Sequence, residues 1–203
     1  MSEDDVRGAL RRRLGDRIEQ RLAHFVDMLL AENAAQNLVA RSTLADVWSR
    51  HILDSAQLLD LAPPEGLWAD IGSGGGLPGI VIAICRTAPT VLIEPRRLRA
   101  EFLQRAILDL DLPHARVHHG RAETVASVSA AVISARAVAS LDGLFEMARH
   151  FSGPQTCWLL PKGASAQDEV AEAKRSWHGT FHVERSATSP QSGIVVAREV
   201  RHR

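Results

Sequence analysis

The chain has 203 residues, 45% hydrophobic and 24% charged, a size and balance suited to one globular unit with a full core. Lys plus Arg and Asp plus Glu number 24 each, so no net charge draws the chain toward nucleic acid or a membrane surface. Its apolar runs are far shorter than the roughly twenty residues of a membrane span, and Cys85 and Cys157 lie in apolar runs with neither metal-ligand nor disulfide spacing.

The N-terminal MSEDDVRGALRRRLGDR has no apolar core and carries three acids together, which argues against a secretory leader and for a cytoplasmic protein. Residues 3 to 60 read as helical throughout. Leu14, Ile18, Leu22, Phe25, Val26, Leu29 and Leu30 recur at helical spacing, and Asn33 and Asn37 interrupt them. A second helix starts near Thr43 with Val47, Trp48, Ile52, Leu53, Leu58 and Leu59 on its apolar face, and APPEG (62–66) ends it. Arg7, Arg11, Arg12, Arg13, Arg17 and Arg21 form a local basic stretch. Interleaved Asp16 and Glu19 favour a solvated face there over a phosphate track.

From Leu67 the period changes. LWADI predicts a strand, and a glycine run and a helix opening at Pro78 follow. TVLIE (90–94) is a buried strand, and 96–110 is an amphipathic helix with Leu98, Phe102, Leu103 and Ile107 facing inward. ARVHHG (115–120) is a strand, with a short helix near 121–127. AAVISAR (130–136) and TCWLLP (156–161) are strands before helices at 139–151 and 165–176. Residues 181–200 predict two strands joined by a Ser/Pro/Gly turn, and His178 and His182 fall in turn and strand, an arrangement that does not make a metal site. Alternating strands and helices argue for right-handed βαβ units and one parallel sheet, with the last hairpin antiparallel. The division expected is a helical extension, 1–62, packed on a core unit, 63–203.

The segment WADIGSGGGLPGIVIAI (68–84) places five glycines, Gly72, Gly74, Gly75, Gly76 and Gly79, at the carboxyl end of the first strand. Gly74, Gly76 and Gly79 match the spacing of a dinucleotide fingerprint, whereas no Gly-Lys-Ser/Thr follows to make a P-loop. Asp70, just before the glycines, would repel a pyrophosphate and suit an ammonium group. Glu94, ending the second strand, is placed for two ribose hydroxyls. These acids favour S-adenosylmethionine, which is cationic and has no phosphate. A dinucleotide, and a turn that merely packs helix on strand, stay open. Ala122 and Glu123 follow the third strand, where they would lie beside an adenine.

The segments NLVARS, RHILDSAQLL, DIGSGGGLPGI, GRAE, ISARAVASL and LLPKG, in this order and at this spacing, resemble the glucose-inhibited division protein B family, also called RsmG. The resemblance runs from about Asn37 to the C-terminus. It implies a Rossmann-like class I methyltransferase with a mostly parallel seven-stranded sheet, a C-terminal antiparallel hairpin and an N-terminal helical extension. It further implies transfer of a methyl group from S-adenosylmethionine to N7 of a specific guanosine in bacterial 16S ribosomal RNA, within the 30S subunit or an assembly intermediate. Gly72, Gly74, Gly76, Leu77, Glu94, Ala122, Glu123 and Arg136 would then face the cofactor, joined by Asp70. Arg136 and Lys162, with Gly163, would position the RNA, and His51 and Asp54 would support the pocket. Gly75, where the family often has Ala or Pro, reads as added flexibility.

Guanine N7 carries a lone pair and no proton, so in-line displacement needs no general base and catalysis reduces to positioning. An NAD-linked oxidoreductase and a non-catalytic ribosome-assembly factor are the competing readings. The size makes a monomer the expected state, with no metal and no membrane partner.

Overall fold

The structure, a computed structural model, describes residues 2–126 and 129–203. The predicted N-terminal helical stretch divides at Gly15, whose φ of 90° no L side chain adopts comfortably. It leaves α1 (Glu3–Leu14) and α2 (Asp16–Gln36). Ser2 caps α1, accepting from the Asp5 N–H while Asp5 accepts from the Ser2 N–H, and acids fill its first turn. Asn37 ends α2 in the left-handed conformation, as its interruption of the apolar pattern suggests.

Residues 41–60 stay helical, but as a mixture: 3-10 turns at Arg41–Asp46 and Gln57–Asp60 flank a π segment, Trp48–Leu53, and one α turn, α3 (Asp54–Ala56). The carboxylate of Glu3 accepts the Trp48 and Ser49 N–H groups at 2.6 and 3.1 Å, tying α1 to this irregular run. Such π turns concentrate at functional sites because they re-aim side chains away from regular helical spacing.

Seven strands form one sheet in the order β3-β2-β1-β4-β5-β7-β6. They are β1 (Trp68–Ile71), β2 (Thr90–Glu94), β3 (Ala115–His119), β4 (Val132–Ala135), β5 (Cys157–Lys162), β6 (Trp177–Arg185) and β7 (Gly193–His202). The first five are parallel. β7 runs antiparallel between β5 and β6, as the sequence predicts for the last hairpin. β1, β2 and β4 are buried on both faces, which is why they read as unbroken apolar runs.

One face of the sheet carries α2, α4 (Gly79–Cys85) and α5 (Arg97–Asp109), whose Phe25, Leu29, Ile80 and Phe102 share a core. The other carries α6 (Leu141–Ala148) and α7 (Ala166–Ser176), where Phe145 meets Trp158 edge-on at 4.9 Å. From Gly79 to Ile84 every residue of α4 is buried, because this helix is enclosed by sheet and α2 together.

Three sequence expectations change. Leu98 and Leu30 are exposed, at 54% and 38%, because each sits on the solvent side of its helix. The helix near 121–127 reduces to one 3-10 turn, Ala122–Thr124, with residue 127 outside the described residues. Pro78 precedes α4 as its cap instead of opening it. In the basic stretch of α1 and α2 the interleaved acids do pair with arginines, as the sequence suggests: Arg7 with Glu19 and Arg11 with Asp16, while Arg13 pairs with Asp60 and Arg21 donates to the Leu110 and Asp111 carbonyls.

Candidate active site

Strand order reverses between β1 and β4, and at their carboxyl ends the sheet opens two adjacent cavities. The first, about 280 Å³, lies between the ends of β1 and β2. Its walls are Ile71, Gly72, Ile93, Pro95, Ala122 and Val138, with Arg121, Glu123 and Met147 at its rim. A narrow, apolar slot with one acid at its edge suits a flat heteroaromatic ring. Glu123 lies 3.1 Å from Arg121, which holds its carboxyl below the usual range.

The glycine loop is stitched to the protein by its own backbone. Gly72 and Ser73 donate to the Ile93 carbonyl at 2.8 and 3.1 Å, and Gly76 and Leu77 to the Ser73 carbonyl at 2.7 and 3.2 Å. Gly74 donates to Glu94 at 2.8 Å, and Gly79 to Asp70 at 3.1 Å. Pro78 has no N–H to give. A pyrophosphate needs a cradle of free N–H groups, and this loop has already spent its donors apart from that of Gly75, which is buried.

Of the loop glycines, Gly72 and Gly74 are partly accessible. A Cβ on Gly72 would lie 2.6 Å from Val138, so the residue is needed where the chain crosses the cavity wall. Gly75 and Gly76 instead serve close packing: a Cβ on Gly75 would meet Leu29 and Leu38 at 3.1 Å, and one on Gly76 would meet Ile80 at 2.6 Å and Phe25 at 3.1 Å. Gly75 is therefore a packing position, not a source of flexibility. Leu77 joins the core beneath the loop, so neither it nor Gly76 lines the cavity.

Asp70 also departs from expectation. It is fully buried, accepting from Ser134 Oγ at 2.7 Å and from the Gly79 N–H, and Ser134 in turn accepts the Trp68 indole N–H at 2.8 Å. Its carboxylate holds the loop from behind and meets no ligand directly. Burial raises its pKa to about 6 against the opposing hydrogen bonds from Ser134, Ser73 and Gly79. Glu94 is 2% exposed and accepts one N–H on each oxygen, from Gly74 and Arg96, both at 2.8 Å. Each oxygen keeps a further lone pair.

The second cavity, about 340 Å³, is lined by Asp54, Arg136, Ala137, Lys162, Glu169 and Ser186, among others. It shares a wall with the first: Ala137 faces one side and Val138 the other. Ala137 takes a φ of 57°, an uncommon conformation for a residue with a Cβ.

Arg136, at the end of β4, donates to Asp54 Oδ2 at 3.3 Å, the Arg50 carbonyl at 3.3 Å and His51 Nδ1 at 3.2 Å. Arg has no acceptor, so Nδ1 of His51 must be unprotonated and Nε2 must carry the hydrogen, which Thr43 Oγ1 accepts at 2.8 Å. Burial, and the charges of Arg136 and Arg50, lower the His51 pKa to about 4. Asp54 Oδ1 accepts from Gln57 at 2.9 Å and Thr188 at 3.0 Å. The end of the π segment and Asp54 of α3 thus join β4 to the β6–β7 turn. Lys162 donates to the Ala139 carbonyl at 2.7 Å and lies 2.8 Å from Glu169.

His51 and Asp70 titrate in opposition. The folded-state pKa of His51 is depressed from 6.5, so its contribution is whole above pH 6.5 and fades as pH falls toward 4. That of Asp70 is raised from 3.8, so its contribution is whole below pH 3.8 and is lost as pH rises through about 6. The terms offset each other between pH 4 and 6. Asp70→Asn removes one of them, and urea unfolding should then show stability falling more steeply from pH 6.5 to 4.5 than in the wild type. Equal slopes would mean that Asp70 is not the opposing group.

A doubly wound sheet with an inserted antiparallel β7, and a glycine loop at the end of β1, defines a class I methyltransferase fold. The ribosomal protein L11 methylase of Lactobacillus delbrueckii superposes with a TM-score of 0.59 at 11% identity, covering 72% of this chain and 77% of that one. A TehB-like SAM-dependent methyltransferase from Corynebacterium glutamicum gives 0.56 at 15% identity, covering 83% and 97%. The family model described as GidB, rRNA small subunit methyltransferase G, matches residues 18–194. The Ribosomal RNA small subunit methyltransferase G of Novosphingobium aromaticivorans is 53% identical over 88% of this chain and 79% of its own length. The chain belongs to this family.

Several residues of the site escaped sequence reasoning. Ser134 and Val138 lie inside the quoted ISARAVASL, but strand alternation does not say which hydroxyl meets Asp70. Thr188 and Ser186 come from a turn more than a hundred residues beyond Asp54, and no local pattern pairs them.

Proposed function

We propose that the chain transfers a methyl group from S-adenosylmethionine to N7 of a specific guanosine in 16S ribosomal RNA, by direct in-line displacement without a general base. The observation that carries the cofactor reading is the spent loop: its N–H groups from Gly72 to Gly79, Gly75 aside, leave none for a phosphate. That removes the support for a nicotinamide dinucleotide and leaves a phosphate-free adenosine derivative. Ala122 and Glu123 would flank the adenine, and Glu94, with a free lone pair on each oxygen, would take the ribose hydroxyls. Asp70 would act through the loop, keeping Gly72 and Gly74 at the cavity.

The cofactor supplies an electrophilic methyl on a sulfonium, and the N7 lone pair needs no proton removed before it attacks. The protein's task is placement. Arg136 and Lys162 border the second cavity, where they would hold the O6 and phosphate groups of the nucleotide. An Arg bonded to N7 itself would block the reaction, so its N–H groups serve neighbouring atoms. Family membership supports small-subunit rRNA as the substrate, in the 30S particle or an assembly intermediate.

The test is calorimetric titration with S-adenosylmethionine and with NAD, followed by labelled methyl transfer to 30S subunits and to naked rRNA, with the modified base mapped. Binding of S-adenosylmethionine alone and a single N7-methylguanosine are expected. Binding of NAD without heat from S-adenosylmethionine, or a methyl mapped to another atom, would overturn the reading.

A further inference from the structure

The second cavity holds two ion pairs that differ in what they have left to offer. Asp54 takes three donors: Gln57 and Thr188 on one oxygen and Arg136 on the other. Glu169, on the first turn of α7, takes fewer. Its Oε1 accepts one hydrogen bond, from Ser165 at 3.0 Å, whereas its buried Oε2 is met by the Lys162 ammonium, 2.8 Å away. Lys162 also donates to the Ala139 carbonyl, leaving a further hydrogen unspent. A carboxylate held by one lysine and one hydroxyl keeps lone pairs that an incoming donor can use.

Lys162 and Glu169 therefore present, side by side, a donor and a pair of acceptors. The Watson–Crick edge of guanine reads acceptor, donor, donor: O6, N1–H and N2–H. The adenine edge reads donor, then acceptor, and would set N6–H against ammonium and N1 against carboxylate.

We propose that Glu169 is the specificity-determining residue of this methyltransferase, accepting the N1–H and N2–H of a target guanine seated in the second cavity while Lys162 donates to O6. The proposal rests on the guanine-N7 reading above. Lys162 is a flexible side chain, and its move from Oε2 to O6 uncovers the oxygen that N1–H then takes. With its Watson–Crick edge on α7, the base keeps free the adjoining Hoogsteen edge, which carries O6 and N7, and N7 would face the Ala137–Val138 wall shared with the first cavity. Asp54 frames the wall, and with Lys162 on O6 the Arg136 guanidinium is left to the phosphate.

Inosine lacks the 2-amino group and keeps N1–H, O6 and N7. After the modified position is mapped, small-subunit rRNA carrying guanosine or inosine there is compared with wild type and with Glu169→Ala. Wild type is expected to favour guanosine over inosine by about tenfold or more in kcat/KM, the discrimination of a well-formed base contact. In Glu169→Ala that ratio falls to near one, while S-adenosylmethionine affinity by calorimetry stays within about twofold. A merely structural role would lower both substrates equally and keep the ratio, which overturns the proposal. If the variant fails to fold, the wild-type ratio decides alone: equal methylation of inosine and guanosine overturns the assignment. The absence of N7 methylation on any guanosine sinks the parent reading instead.

Discussion

Arg136→Ala is expected to lower methyl transfer by about a hundredfold or more, the usual consequence of losing a side chain that sets the approach of reacting groups. The side chain reaches two groups of the π segment and one of α3, and borders the cavity next to the one proposed for the cofactor. Its removal costs stability too, but less decisively. The ion pair with Asp54 is long, at 3.3 Å, and Asp54 keeps Gln57 and Thr188 as donors. A loss of about 1–2 kcal/mol follows for a partly buried, partly compensated pair. Arg136→Lys keeps the charge but cannot reach an Asp, a carbonyl and a ring nitrogen at once, so its turnover should stay near that of the alanine variant. Turnover of both variants, with S-adenosylmethionine affinity and thermal unfolding, separates the possibilities. Unchanged turnover removes Arg136 from the site. A parallel loss of cofactor affinity would make it a support of the cofactor wall and not of the RNA.

Arg136 also shows what the sequence could and could not disclose. Its place after a buried strand was legible, because ISAR is a continuous apolar run ending in a charge. The proximity of RHILDS was implied by the family resemblance alone and not by the residue pattern, since the segment joining them folds through β1, β2 and β3 before returning. Strands and their order followed from period and alternation, which are local properties reinforced by burial on both faces. The irregular 41–60 run defeated the same logic. Val47, Trp48 and Ile52 keep an apolar face there, while the backbone between them switches from 3-10 to π to seat Glu3 and Arg136. Sequence patterns record which side chains are buried; they do not record which carbonyl a distant arginine needs.

The acids flanking the glycine loop teach the same lesson from the other side. Asp70 and Glu94 were both legible as strand-end carboxylates, and both were read as facing a ligand. The structure turns Asp70 inward and commits one lone pair of each Glu94 oxygen to the backbone. Their negative charge still shapes the site, because a loop with two N–H groups taken by carboxylates and four by backbone carbonyls has little to offer a phosphate. Charge sign was readable; whether the charge is spent inside the fold or offered to a ligand depends on where Ser134 and Gly79 lie in three dimensions.

Gly79→Ala should be among the most destabilising single-methyl changes in the chain, at about 3–4 kcal/mol, through overpacking and the strain placed on a buried charged hydrogen bond. Gly79 has an ordinary φ, so the cost is collision and not backbone strain. The added Cβ would lie 2.6 Å from Asp70 Oδ2 and 2.9 Å from Leu92. Neither can yield easily. Asp70 is pinned by Ser134, which is pinned by the Trp68 indole, and α4 is buried between sheet and α2. Gly163→Ala is the matching control, with no atom within 4 Å of its Cβ, and should fall within about 0.5 kcal/mol of wild type. In an Asp70→Ala background the Gly79→Ala cost should shrink by about 1 kcal/mol or more, because the colliding oxygen is gone. Denaturant unfolding of the four proteins of this cycle measures that coupling. Strict additivity would place the cost in Leu92 packing alone and detach Gly79 from the acid. If the coupling holds, the third glycine of the apparent dinucleotide fingerprint exists for an internal carboxylate, and the fingerprint describes how close a helix comes to a strand without saying what binds above it.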